Sequence, residues 1–174
     1  ASEVLTAAIQ RWGAGTIVGT TSFGKGTVQE TWDLTNGGSV KLSTNKWLTP
    51  KETWIHERGV QPDVEADQHP LYTIEFVPIR GKFEAGDFSE EIAYAQKVLH
   101  GFGFPIVRQD GYFDETTKKA VIAFREKYDI HEGEVLDELF FEKMQEQVVL
   151  YKDKEENDLQ LQMGVSYIMH KLGH

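Results

Sequence analysis

The sequence contains no cysteine, which excludes a disulfide frame, a thiolate nucleophile and cysteine ligands for zinc. It also lacks any apolar run approaching the roughly 20 residues that a membrane-spanning helix needs. Basic charge is scarce: 18 lysines and arginines face 28 acidic residues, for a formal net charge of -10. Phosphate recognition wants clustered Lys and Arg, so nucleic acid and anionic lipid are poor partners for the chain as a whole. What remains is ordinary for a soluble globular protein, with 40% apolar and 26% charged residues. At 174 residues the chain has room for one domain with a substantial core or for two small ones. It begins at Ala1 with neither an initiator methionine nor a signal-like stretch and opens directly into a helical pattern. The expectation is a fragment, with any targeting segment upstream.

Val4, Leu5, Ala8, Ile9 and Trp12 fall at helical spacing, with Ser2 and Glu3 suited to the helix start and Gly13 and Gly15 to its end. Thr16 to Gly19 reads as a short buried strand. Helix, glycine turn and apolar strand suggest an α/β layer whose chemistry sits at the strand's C-terminal end. Thr27 to Leu34 then alternates with period two, Asn36-Gly37-Gly38 marks a tight turn, and Ser39 to Thr44 alternates again, which predicts a hairpin.

Between strand and hairpin lies Gly19-Thr20-Thr21-Ser22-Phe23-Gly24-Lys25-Gly26-Thr27-Val28-Gln29, a lysine set between two glycines. Gly19, Gly24 and Lys25 match the phosphate-loop spacing G-x-x-x-x-G-K. Gly26, however, stands where that motif needs a magnesium-binding hydroxyl, and the segment that follows is strand-like. No helix N-terminus is therefore available to hold phosphate. A second reading makes Lys25 a general base. An amine with a reference value of about 10.4 serves near neutrality only when burial or a nearby cation lowers it. Its natural partner is a serine nucleophile. The competing reading is a solvated loop lysine.

Phe23-Gly24-Lys25-Gly26-Thr27-Val28-Gln29 resembles the Ser-Lys signature of the C-terminal processing peptidases, the tail-specific serine proteases. Three further blocks agree in order. Ala1-Ser2-Glu3 is similar to the end of that family's S-A-S-A-S-E segment, and Ser43-Thr44-Asn45-Lys46-Trp47-Leu48-Thr49-Pro50 resembles its strand and turn. Gly59-Val60-Gln61-Pro62-Asp63-Val64 resembles its G-[IV]-x-P-D-[IV] element. The resemblance implies Lys25 as general base and Gln29 as the residue that orients it. It also implies that the nucleophilic serine lies immediately before Ala1, so that residues 1–174 alone would not hydrolyse peptides. In a straight strand Lys25 and Gln29 would stand roughly 13 Å apart on one face. Their contact requires a bend or bulge near Gly24 or Gly26.

Residues 65–88 read as a connector. Ser89 caps a helix with an acidic first turn, carried on by Ile92, Ala93, Gln96, Val98 and Leu99 and stopped by Gly101 and Gly103. Asp110 to Asp114 makes a turn, and Glu115 to Tyr128 forms a second amphipathic helix with Ala120, Val121 and Phe124. The order helix, glycine-rich loop, D-G-x-F, helix with A-V-x-x-F resembles the small three-helix peptidoglycan-binding domain. Arg125 stands where that family often has Gln. The resemblance implies a ligand surface on the loop from Phe102 to Tyr112, with Tyr112 and Phe102 as candidate binding residues. Leu161, Val165, Ile168, Met169 and Leu172 then form one apolar helical stripe, similar to the last helix of the processing peptidases. That helix could equally pair with a second subunit. His170 and His174 share i, i+4 spacing without the Glu of a zinc motif, which makes a solvated pair the expectation and no metal or cofactor is implied.

The expected architecture is an α/β (α+β) partial protease core over 1–80, a small three-helix domain over 86–148 and a C-terminal helix over 153–174 returning to the core. The function implied is a fragment of a serine endopeptidase that processes protein C-termini in the cell envelope. Polypeptide C-termini and peptidoglycan are the implied partners, with no nucleic acid and with self-association through the terminal helix. The location implied is extracytoplasmic, secreted or anchored by a segment outside these residues. The alternative is a non-catalytic cell-wall binding module.

Overall fold

The computed structural model describes residues 1–131 and 133–173, so His174 and its pairing with His170 lie outside the described residues. The chain divides into two compact units, one of Ala1–Asp67 with the last part of the chain from Met163, the other of Gln68–Gln162.

The first unit opens with helix α1 (Ser2–Trp12), which ends where Gly13 takes the left-handed conformation at φ 62°. Strand β1 (Val18–Gly19) follows, then β2 (Thr27–Asp33) and β3 (Ser39–Lys46). The antiparallel β2–β3 pairing is the expected hairpin, turned at Asn36-Gly37-Gly38. A short strand β4 (Val64–Glu65) pairs in parallel with β1, Val18 opposite Val64. Asp63 fixes that pairing. Its carboxylate accepts from the Ile17 amide at 2.8 Å and from the Gln10 side chain at 2.9 Å, and these bonds hold its pKa below the ordinary aspartate value. The buried core here is small: Ala7, Ile55 and Val60, with Trp47 packed against them.

The second unit begins within the expected connector. Helix α2 (Pro70–Thr73) is a single turn, started by His69, whose ring nitrogen accepts from the Leu71 amide. Leu71 is 1% exposed and enters the core, and Ile74, Val77, Ile79 and Phe83 pack on it. Residues 68–83 are thus structural parts of this unit, because their apolar side chains cover faces that three helices alone would leave wet. Helices α3 (Glu90–Gly101), α4 (Glu115–Lys127) and α5 (Glu138–Lys152) complete it. Each has a side-chain N-cap, from Ser89, Asp114 and Asp137 respectively. The core joins Ile92, Val98, Leu99, Phe113, Phe124 and Phe140, all at most 1% exposed.

Two polar groups organise this interior. The fully buried Gln96 donates to the Tyr112 carbonyl and to Thr117 Oγ1 and accepts from the Gly111 amide, so one side chain ties α3 to the D-G turn. Gly111 has no alternative there, since a Cβ would sit 2.3 Å from the Ser89 carbonyl oxygen. Arg125, only 3% exposed, donates to the carbonyls of His131 and Val135 and to Asp137, and lies over the Phe140 ring. It closes the α4–α5 connection from inside, so its place opposite the family's usual Gln has a structural purpose. Helix α6 (Leu159–Leu172) ends the described chain. Tyr167 on it bonds to Thr16. Among the described residues no helix is long and apolar enough to cross a membrane.

Candidate functional site

A lysine between two glycines leaves a run of backbone groups that no strand or helix can pair, and each needs a partner when buried. The structure supplies most of them from outside the loop, while the Gly26 amide turns inward and donates to the Gly24 carbonyl at 3.1 Å. Glu3, in the first turn of α1, accepts from the Gly24 amide at 2.6 Å and from the Lys25 amide at 2.9 Å, and Ser22 Oγ donates to the same carboxylate. Burial works to raise the Glu3 pKa, but the bonds from Ser22, Gly24 and Lys25 together outweigh it and leave the carboxyl below its ordinary value. Ser22 Oγ also accepts from the Val60 amide at 2.7 Å.

The carbonyl side is held by two indoles. Trp47 Nε1 donates to the Lys25 carbonyl at 2.9 Å, and Trp54 Nε1 to the Gly26 carbonyl at 2.7 Å. The Glu57 amide donates to the Gly24 carbonyl at 3.0 Å. The loop therefore lies flat against residues 54–60, and the glycines are dictated by that approach. A Cβ on Gly24 would fall 2.6 Å from the Gly59 nitrogen, and one on Gly26 2.7 Å from the His56 nitrogen.

Lys25 is the one residue of the Gly24-Lys25-Gly26 run with its side chain in solvent, between two buried glycines. Among the described residues it makes no side-chain hydrogen bond or ion pair, and none joins it to Gln29. Gln29 is also exposed, on β2. The backbone is irregular near both: Gly24, before the lysine, sits at φ 84°, and the ladder slips between Val28 and Gln29, whose partners are Asn45 and Ser43, leaving Thr44 as the extra residue of a bulge. These irregularities fall at Gly24 and on the opposite strand, and no hydrogen bond between Lys25 and Gln29 accompanies them among the described residues. Sequence reasoning missed Glu3, Ser22, Trp47 and Trp54. Glu3 read as a helix-start residue, and the only signal for its second task was the demand for donors' partners that any Gly-Lys-Gly loop makes.

In the second unit Tyr112 is 39% exposed and pairs through its backbone with Phe88. The Arg108 guanidinium lies 4.9 Å over its ring and pairs with Asp110, and that hydrogen bond brings Asp110 down to about 2. Phe102 is elsewhere, half-buried against Phe124, Tyr128 and Tyr151. No ring contact or hydrogen bond joins Phe102 to Tyr112 among the described residues. No cluster of three or more metal-ligating side chains occurs among the described residues.

Comparison with known proteins bears on both units. Residues 1–66 match peptidase family S41, and residues 88–144 match the family described as "Putative peptidoglycan binding domain". The carboxy-terminal processing protease CtpB of Bacillus subtilis is 37% identical over 95% of this chain and 34% of its own length. CtpA of the same organism is 28% identical over 99% of this chain and 36% of its length. A solved photosystem II D1 C-terminal processing protease aligns with 38% of this chain and 17% of its own, at 39% identity and a TM-score of 0.37. The chain spans about a third of the length of the curated relatives it matches. Residues 1–66 therefore belong to peptidase family S41 and residues 88–144 to the peptidoglycan-binding domain family, in a chain whose relatives are carboxy-terminal processing proteases.

Proposed function

We propose that this chain is part of a serine endopeptidase that trims protein C-termini in the cell envelope, with Lys25 as its general base and Gln29 orienting the amine. Neutral Lys25 takes the proton of a serine hydroxyl whose oxygen attacks the scissile carbonyl. The resulting ammonium then protonates the leaving amine, and water cleaves the acyl-enzyme by the same base in reverse. Following the family's S-A-S-A-S-E segment, the attacking serine is the residue before Ala1. The observation that carries the reading is the clamp on the loop: every backbone group around Lys25 is tied down while its amine is left free to reach a partner. Holding the base without that serine, residues 1–174 by themselves do not hydrolyse peptides.

The second unit holds the enzyme to peptidoglycan, with the substrates being polypeptide C-termini outside the cytoplasm. The terminal helix, Leu159–Leu172, belongs to the peptidase core, and its apolar stripe, with Leu172 69% exposed and Ile168 57%, pairs with a second copy. Concentration-dependent sedimentation with Ile168→Glu as control checks that pairing. Within these residues alone, the exposed Lys25 favours the second reading, a wall-binding module without catalysis.

The experiment is hydrolysis of a reporter peptide by a longer form carrying the S-A-S segment, beside its Lys25→Ala variant. Loss of kcat by about a thousandfold or more is expected, with residues 1–174 alone giving no turnover. Activity that survives Lys25→Ala would sink the base assignment.

A further inference from the structure

Of five concavities on the described surface, four are lined by carboxylates: Asp129, Asp63, Glu138 and Glu52 each face one. The fifth is different. A hollow of about 420 Å³ in the second unit is lined by Phe102, Tyr128, Tyr151, His69, Lys127 and Lys154 among others, with no acidic side chain. In a chain of net charge -10, a hollow that admits lysines and excludes carboxylates is an unusual local field, and it favours an anion.

Its walls are built as one aromatic surface. Phe102 lies 6.3 Å from Tyr128 and 6.1 Å from Tyr151 between ring centroids, and Tyr151 lies 4.9 Å from His69. Lys127 Nζ stands 5.3 Å over the Tyr128 ring. Neither Lys127 nor Lys154 forms an ion pair among the described residues. His69 accepts the Leu71 amide on Nδ1, which leaves Nε2 as its protonated, donating nitrogen. Ring faces beside unpaired ammonium groups suit a peptide end that carries a small apolar side chain and a free carboxylate. His69, Tyr151 and Lys154 fall outside the matched residues 88–144, so this hollow is made partly by segments added to the domain.

We propose that the hollow over Phe102, between Tyr128 and Tyr151, takes the free terminal carboxylate of a cell-wall stem peptide, held by Lys127 and Lys154. This rests on the reading that the second unit binds peptidoglycan, and it places the contact at Phe102 and away from Tyr112. Lys127 also ends α4, where a cation offsets the helix dipole, and Lys154 lies two residues past the end of α5. That role alone would show in stability and leave binding unchanged.

The test uses the whole chain at low salt, with three measurements. It is pelleted with insoluble peptidoglycan, titrated calorimetrically with a synthetic stem tetrapeptide ending in a free D-alanine carboxylate, and titrated with the C-terminal amide of the same peptide. The free acid is expected to bind about tenfold or more tightly than the amide. The Lys127→Gln, Lys154→Gln double variant should erase that difference with helical circular dichroism intact, and Lys97→Gln, on an exposed lysine of α3 outside the hollow, should keep it. Equal affinity for acid and amide, or a double variant that binds like the parent, overturns the inference while pelleting keeps the broader reading alive. A chain that does not pellet overturns both.

Discussion

Glu3 shows how one carboxylate can decide whether a loop has a shape. It takes two backbone amides and one hydroxyl, and its pKa is depressed on balance, burial opposing and the three bonds prevailing. A carboxyl whose folded value lies below its unfolded value stabilises the fold above the unfolded value and loses that contribution as pH falls through the folded one. The Gly24 and Lys25 amides should therefore exchange with solvent faster, beyond the intrinsic rate change, once pH drops below the ordinary glutamate value of 4.5. Glu3→Gln should show the faster exchange at every pH and no titration, and amide-resolved NMR reads both. Arg125 poses the opposite problem, a buried cation with three acceptors. Arg125→Met keeps the packing against Phe140 but leaves the His131 and Val135 carbonyls without their donor and takes from Asp137 its cation, with only the Phe140 amide still bonded to that carboxylate. A loss of about 3 kcal/mol is expected in urea denaturation of the second unit. A loss below about 1 kcal/mol would show that water replaces the guanidinium.

Among the elements, two glycines in the first unit share nearly the same backbone angle and differ in what surrounds them. Gly13 has φ 62° and nothing within 4 Å of a built Cβ, whereas at Gly59, with φ 69°, that Cβ would lie 2.0 Å from the Ser22 carbonyl oxygen. Gly13→Ala should cost about 1 kcal/mol, the strain of the left-handed cap alone. Gly59→Ala should cost more than about 2 kcal/mol and shift the Gly24 and Lys25 amide resonances, because residues 54–60 and the lysine loop cannot stay in contact. Elements whose signal is local were legible in the sequence: alternation gave away β2 and β3, Ser89 marked the start of α3, and the turn over Asp110 to Asp114 placed that of α4. Helix α2 was not legible, since four residues after a proline have no period and only Leu71's burial makes them structural. The lysine loop was legible through its glycines. Its clamp was not, because Glu3, Trp47 and Trp54 meet it across 21 or more residues of sequence and only the fold brings them there.

At the scale of the molecule the two units bury very different cores. Ala7, Ile55 and Val60 serve the first, while the second closes over Ile92, Leu99, Phe113, Phe124, Phe140 and Met144, all at most 1% exposed. Each fully buried large apolar side chain contributes about 1.5–3 kcal/mol, so the second unit should be much the more resistant to denaturant. The first unit also leaves Trp12 75% and Leu5 63% exposed, and a two-stranded hairpin has little stability of its own. Residue placement makes this difference measurable without labels. All four tryptophans, Trp12, Trp32, Trp47 and Trp54, lie in the first unit, and α3, α4 and α5 lie in the second. Tryptophan fluorescence should therefore change at a lower urea concentration than circular dichroism at 222 nm, with the slowest-exchanging amides in α3, α4 and α5. Coincident fluorescence and dichroism transitions would mean that the chain unfolds as one cooperative body, and the small core around Ile55 would then owe its stability to more than its own contacts.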